Sequence, residues 1–294
     1  MVTGRYSGRV LRTKALRQTS LRLLNDRDRD DVLGLCDRDP VVNVFVSSRV
    51  HEAGLDPVRL GGQMWGYVPG GKLVSACYAG ANLVPVSASP AAVTAFAGRA
   101  RLQGRRCSSI VGQAEAVGPF WDLLRPYWGQ PREVRGRQPV MAISGPPLVP
   151  ADPLVRRVRQ HELDVLLPAS VAMFTEEVGV SPLGPDGGAA YRARVAELIS
   201  LGRAFARIED GRVVFKAEIG AVTPYACQVQ GVWVRPELRG RGLAVAGMAA
   251  VVTEALRSLA PVVSLYVNDF NTPARAVYRK VGFTEVATLT SVLF

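Results

Sequence analysis

Arg239-Gly240-Arg241-Gly242-Leu243-Ala244 follows a strand-like run, Gln228-Val229-Gln230-Gly231-Val232-Trp233-Val234, that Pro236 stops. It opens a helix-like run from Leu243 to about Leu259. Strand, glycine-bearing turn and helix start together make an anion site, because the first amides of a helix lack internal partners and the dipole adds partial positive charge there. Gly240 and Gly242 carry no Cβ, so a bulky anion can approach the backbone and positive φ is open to the chain. Arg239 and Arg241 add full charges. The stretch reads as a pyrophosphate cradle.

Spacing separates three kinds of cradle. A P-loop needs Gly-Lys-Ser/Thr at the helix start, and nothing of that kind follows Gly242. A dinucleotide fingerprint needs a third glycine where Val245 stands. Asp269 closes the next strand as that fold would require, but the 25 residues after it are too few for further strand–helix units. The third pattern, Arg/Gln-x-x-Gly-x-Gly/Ala after a strand, is filled by Arg239, Gly242 and Ala244.

The residues downstream extend this pattern. Pro261 to Val267 is an apolar, β-branched run of the kind that makes a buried parallel strand. Then come Asn268-Asp269-Phe270-Asn271-Thr272-Pro273-Ala274-Arg275-Ala276-Val277-Tyr278 and Lys280-Val281-Gly282-Phe283. Thr272 with Pro273 predicts a helix start and Gly282 its stop. With these motifs in this order, and with the approach Val232-Trp233-Val234-Arg235-Pro236-Glu237, residues 229–283 resemble the GNAT family of acetyl-CoA-dependent N-acyltransferases.

The resemblance implies the α/β, mixed-sheet fold of that family, acetyl-CoA as cosubstrate, no metal, and a primary amine as acceptor. It assigns the cradle amides of Arg239, Gly240, Arg241, Gly242, Leu243 and Ala244 to the pyrophosphate. The backbone of Val232, Trp233 and Val234 is assigned to the pantetheine arm and the thioester oxygen, where such donors act on developing charge. Asn271 matches the family's asparagine on the pantetheine arm, with turn formation before Pro273 as its plainer use. Arg275 bonds either a phosphate or an acidic neighbour. Tyr278 matches the tyrosine that protonates the leaving sulfur, a task suited to a phenol that stays protonated at neutral pH; otherwise it is a core aromatic beside Ala274 and Val281.

The base is less plain. Relatives often carry a glutamate on the strand before the cradle, where this chain has Gln228 and Gln230. Glu218, on the neighbouring strand, is the candidate catalytic base, unless it merely pairs with Lys216, which shares its face by the two-residue period. Glu176 and Glu177 read as a solvated helix face that could attract a cationic amine. The missing strand glutamate keeps an alternative open, a non-catalytic acyl-CoA-binding or regulatory protein. The acceptor, small molecule or protein, is not named by any residue.

Composition narrows the class further. A chain of 294 residues with 48% hydrophobic content suits two domains with sizeable cores. No apolar run reaches the roughly 18 residues of a membrane span, so no membrane partner is expected. Cys36, Cys77, Cys107 and Cys227 are scattered without metal-ligand pairing, which fits free buried thiols in a cytoplasmic protein. The net charge of +11 favours anionic ligands, but only four of the 36 basic residues are lysine. The arginines are spread without aromatic interleaving, so nucleic acid is not the expected partner.

The proline-rich segment 144–153 is the expected boundary. It divides a flexible basic tail (1–19) and an N-terminal α/β domain (20–145) from a short linker (146–153) and a catalytic domain (154–294). The N-terminal half predicts nearly the same order of strands and helices as the C-terminal half, which reads as a degenerate second copy of the fold. Its cradle position, Pro85-Val86-Ser87-Ala88-Ser89-Pro90, has neither glycine nor arginine, so coenzyme A is not expected there. In this organisation the chain is similar to bacterial GNAT proteins that carry an N-terminal domain of unknown function.

Overall fold

The computed structural model describes residues 20–184 and 187–294; the basic tail expected over 1–19 lies outside them. The N-terminal half contains β1 (Leu21–Leu23), α1 (Arg29–Cys36), α2 (Val44–Ala53), α3 (Pro57–Leu60), β2 (Gly62–Tyr67), β3 (Ser75–Gly80) and β4 (Asn82–Val86). It continues through α4 (Pro90–Gln103), β5 (Ser109–Gln113), α5 (Ala114–Trp128) and β6 (Glu133–Ile143). The C-terminal half contains β7 (Arg156–Arg157), α6 (Leu163–Val178), α7 (Ala189–Ser200), β8 (Ala204–Glu209), β9 (Arg212–Val222) and β10 (Cys227–Val234). It ends with α8 (Leu243–Ser258), β11 (Val263–Tyr266), α9 (Thr272–Val281) and β12 (Thr284–Leu293).

The twelve strands of the described residues belong to one mixed sheet, in the order β1-β2-β3-β4-β5-β12-β6-β11-β10-β9-β8-β7. The halves exchange their last strands. β12 leaves its own half to pair antiparallel with β5 (Leu289 opposite Gln113), and β6 crosses the other way to pair antiparallel with β11 (Val263 opposite Ile143). The two exchanged strands run antiparallel side by side at the centre, Leu289 opposite Gln138. Exchange covers what would otherwise be an exposed, unpaired edge in each half.

Each half packs helices on both faces of its part of the sheet. Met248, Val251, Val252 and Ala255 of α8 join Phe215, Ile219 and Val229 in the largest core, while Leu166, Met173, Val195 and Leu198 of α6 and α7 cover the opposite face. In the N-terminal half, α4 and α5 build one core around Trp65, Phe96 and Phe120, and α1 and α2 another around Leu35, Val50 and Met64. The shared order of elements has a physical counterpart: in each half a parallel strand pair precedes a helix and an exchanged strand.

Several local expectations need correction. The first strand after the linker, β7, spans only Arg156–Arg157. The cap of α9 is Asn271 rather than Thr272, its Oδ1 accepting from the Ala274 amide at 3.2 Å. The proline-rich segment is pinned across the C-terminal half. The Leu148 amide donates to Val281 O at 2.9 Å, and buried Asp152 pairs with Arg207 at 2.8 Å. Prolines stop regular structure there, but side chains and amides still find partners. Among the described residues no helix is long and apolar enough to cross a membrane.

Candidate active site

β10 and β11 run parallel yet share only two residue pairs, Cys227 with Val263 and Gln228 with Ser264. Beyond Gln228 they part, and the edge of β10 that faces β11 loses its ladder partner. On its other edge β10 follows β9 until the register slips: Gln230 pairs with Glu218 and Trp233 with Lys216. Gly231 and Val232 thus stand opposite a single residue, a β-bulge, which bends its strand. Gly231 takes φ +59°, and a Cβ there would lie 3.0 Å from both Glu218 Oε1 and Met173 Cε. The positive φ favours glycine, and a Cβ would press on both side chains. The result is a V-shaped cleft with backbone groups of β10 along one wall.

The cradle closes one end of this cleft. Gly240 and Gly242 take φ +77° and +80°, and a Cβ at either would meet no atom within 4 Å. Positive φ selects glycine here, and the backbone stays open to approach. Gly242 caps α8, its carbonyl accepting from the amides of Val245 (3.0 Å) and Ala246 (3.3 Å). The amides of Gly240, Arg241 and Gly242 have no acceptor among the described residues, and those of Leu243 and Ala244 lie in the first turn, where the helix supplies none. Five such N–H groups beside a helix N-terminus fit a diphosphate.

The two cradle arginines differ. Arg241 is exposed and has no ion-pair partner among the described residues. Arg239 donates from Nη2 to Glu176 Oε2 at 2.6 Å and from Nε to Val234 O at 3.0 Å. Glu176 Oε1 also accepts from Trp233 Nε1 at 3.1 Å. The carboxylate read as part of a solvated face therefore bridges two residues expected to bind cofactor. Sequence periodicity placed Glu176 on a helix face, but its partners stand on β10 and the cradle, far along the chain.

Arg275 takes its acidic option. Its Nη1 donates to Asp269 O (3.0 Å) and to Asp269 Oδ1 (2.5 Å), and Asp269 is also bonded by Arg137 of β6. Gln138, another β6 residue, donates to Asn268 Oδ1 at 2.9 Å and accepts from Ser291 Oγ at 2.6 Å. The turn that carries Asn271 is thus held from the N-terminal half. Tyr278 is buried edge-on against Phe283, centroids 6.0 Å apart. Its hydroxyl bonds no described residue, and burial, with the Glu177 charge, raises its pKa.

Lys216 Nζ lies 3.1 Å from Glu218 Oε2, the same-face pairing that the two-residue period predicts, and Gln230 Nε2 donates to Glu218 Oε1 at 3.3 Å. Both oxygens of Glu218 are occupied, beneath the bulge. Glu177, the next residue of α6, remains open to solvent yet crowded by protein. Desolvation pushes its carboxyl above the ordinary glutamate range; Arg135 and Lys216 oppose the shift and Glu218 adds to it. The phenols of Tyr191, Tyr266 and Tyr278 all feel its charge. Arg135 Nη2 donates to Glu177 O at 3.1 Å. The last turn of α6 is thus tied to β10 and the cradle through Glu176, and to β6 through Glu177, across the cleft. The groups that act on Glu177 come from β6, β9, α7, β11 and α9, contacts that helix periodicity alone does not reveal.

The corresponding place in the N-terminal half is closed. β4 and β5 also share two parallel pairs, but a Cβ at Gly112 would lie 3.3 Å from Pro85 Cδ, so the proline ring fills the split. Ser89 Oγ accepts from the Ala92 amide at 3.3 Å, occupying the helix start. Among the described residues no group of three His, Cys, Asp or Glu side chains is placed to hold a metal.

A split parallel pair, a bulge and a glycine cradle at a helix start define an acyltransferase fold, and the relatives agree. Residues 187–283 match the sequence model of the acetyltransferase (GNAT) family, and residues 62–166 match that of a domain of unknown function, DUF4081. The match to the GNAT family thus covers residues 187–283, within the C-terminal half. No curated protein matches it significantly. Among solved structures, a GCN5-related N-acetyltransferase from Sphaerobacter thermophilus superposes with a TM-score of 0.61 at 17% identity, over 93% of this chain and 95% of that one. A GNAT-family acetyltransferase from Colwellia psychrerythraea gives 0.57 at 12% identity, covering 93% and 99%. A tandem GNAT protein from the clavulanic acid biosynthesis pathway gives 0.52 at 15%, covering 93% and 98%. At these identities the likeness is one of fold.

Proposed function

We propose that the protein is an N-acetyltransferase that moves an acetyl group from acetyl-CoA to a primary amine. The observation that carries this reading is the cradle: five free amides and unpaired Arg241 at the mouth of a cleft whose wall is the open edge of β10. Bound there, acetyl-CoA supplies an activated thioester. The cradle holds the diphosphate by charge-assisted hydrogen bonds, and the β10 backbone at Val232–Val234 aligns the acyl arm. Asn271, as a cap, fixes the turn beneath that arm.

Proton transfer falls to two side chains. Glu177 takes a proton from the incoming ammonium, a role suited to a carboxylate whose pKa lies above its usual value and closer to working pH. Tyr278, kept protonated by burial, gives its proton to the leaving sulfur. Glu218, the other candidate, holds Lys216 and Gln230 and acts through them on the bulge. Thiol release from acetyl-CoA across a panel of small amines and lysine peptides tests the reading. Turnover supports it; acetyl-CoA binding without turnover on any amine favours the non-catalytic acyl-CoA-binding alternative.

A further inference from the structure

The N-terminal half contains a cavity of about 220 Å³ at the end of its sheet remote from the filled split. Its walls come from the start of α3, from β2, β3, β4, the C-terminal ends of α4 and α5, and the turn before β5, and no carboxylate lines it. Trp65, Leu83, Ala100 and Cys107, all core residues, give it an apolar base.

The polar groups at its rim are oriented. An indole N–H can only donate, so Trp65 Nε1, at 3.0 Å, forces the carbonyl of Gln63 toward itself. Gln103 Nε2 donates to the same oxygen at 3.4 Å. The Gln63 amide nitrogen is therefore turned away from both and has no acceptor among the described residues. Trp128, held edge-on by Phe294 with centroids 5.7 Å apart, carries a buried indole nitrogen that likewise has no acceptor. Arg106, exposed beside the rim, has no ion-pair partner among the described residues. Two donor groups at the rim, one of them a full positive charge, meet an apolar chamber with no acid in its lining.

From this arrangement we propose that the N-terminal half binds a small aromatic monocarboxylate, its ring between Trp65 and Trp128 and its carboxylate toward Arg106 and Gln63. An apolar cavity of about 150 Å³ holds benzene, so this chamber has room for one ring and its carboxylate. The site is independent of the acyl-transfer cleft and of any role assigned to it.

Benzoate titrated into the full-length protein, followed by calorimetry and by tryptophan fluorescence, is the test. Saturable binding is expected, with benzamide, of the same size but uncharged, about tenfold weaker. Arg106→Ala, at an exposed position, and Gln63→Glu, which keeps an acceptor for Trp65 but repels an anion, are each expected to weaken benzoate at least about tenfold. Arg101→Ala, whose guanidinium lies over Tyr127 outside the cavity, should change nothing. Absence of saturable benzoate binding, equal affinity for benzamide, or indifference to Arg106→Ala and Gln63→Glu would overturn the proposal.

Discussion

Arg135, on the last strand of the N-terminal half, donates to the backbone carbonyl of Glu177 in the C-terminal half at 3.1 Å. The same arginine is braced by Glu133 at 3.0 Å. A wall of the cleft beside β10 is therefore braced by the half that has no cradle of its own, and the two halves depend on each other structurally.

This interdependence predicts the behaviour of fragments. Residues 154–294 alone would expose the edge of β11 that β6 covers and leave β12 without either neighbour. Such a fragment should aggregate or lack a cooperative thermal transition, by circular dichroism and size-exclusion chromatography, and co-expression with residues 1–145 should recover a folded complex. A monomeric 154–294 fragment with a sharp transition would contradict the exchanged topology.

The buried pair on β9 gives a stability prediction. Lys216→Met leaves Glu218 charged and without its cation, a change that typically costs about 3–5 kcal/mol. Adding Glu218→Leu should recover much of that loss, because a buried ion pair replaced as a unit by apolar side chains is often near neutral. Urea unfolding of the single and double variants measures both.

Much of this was legible beforehand. Regular alternation in Arg212–Val222 and Cys227–Val234, turn chemistry at Asp210-Gly211 and Gly282, and the glycines of the cradle are local signals, and the elements form where those signals fall. Asp210 and Gly211 both take positive φ, as a tight hairpin turn requires. The strand exchange was not legible, because β6 and β12 have the same pattern whichever half they join. The bulge at Gly231 and the bridging by Glu176 were hidden for a related reason: each depends on partners from distant elements.

Activity should depend on pH through Glu177. A base must be deprotonated, so kcat/KM should rise with pH through the pKa of Glu177, and desolvation by the protein crowded around it sets that midpoint above the ordinary glutamate value. Glu177→Gln should remove this limb and lower kcat by about 10²–10⁴-fold. An unchanged profile would remove Glu177 from the mechanism.

Tyr278→Phe separates chemistry from packing. The ring would still meet Phe283, so stability and acetyl-CoA affinity should hold while kcat falls by about 10²–10⁴-fold, the usual worth of a general acid. A rise in KM for acetyl-CoA at constant kcat would mean that the hydroxyl only binds.

The most direct measurement of the central claim is calorimetric titration of acetyl-CoA into the wild-type protein and into Gly240→Val and Gly242→Val. Valine disfavours the φ of +77° and +80° that these positions hold, so the amides would turn away from the diphosphate. Saturable binding by the wild type, weakened at least about tenfold in each variant while the fold is retained, is the predicted result. No binding by the wild type, or equal binding by all three proteins, would contradict the account.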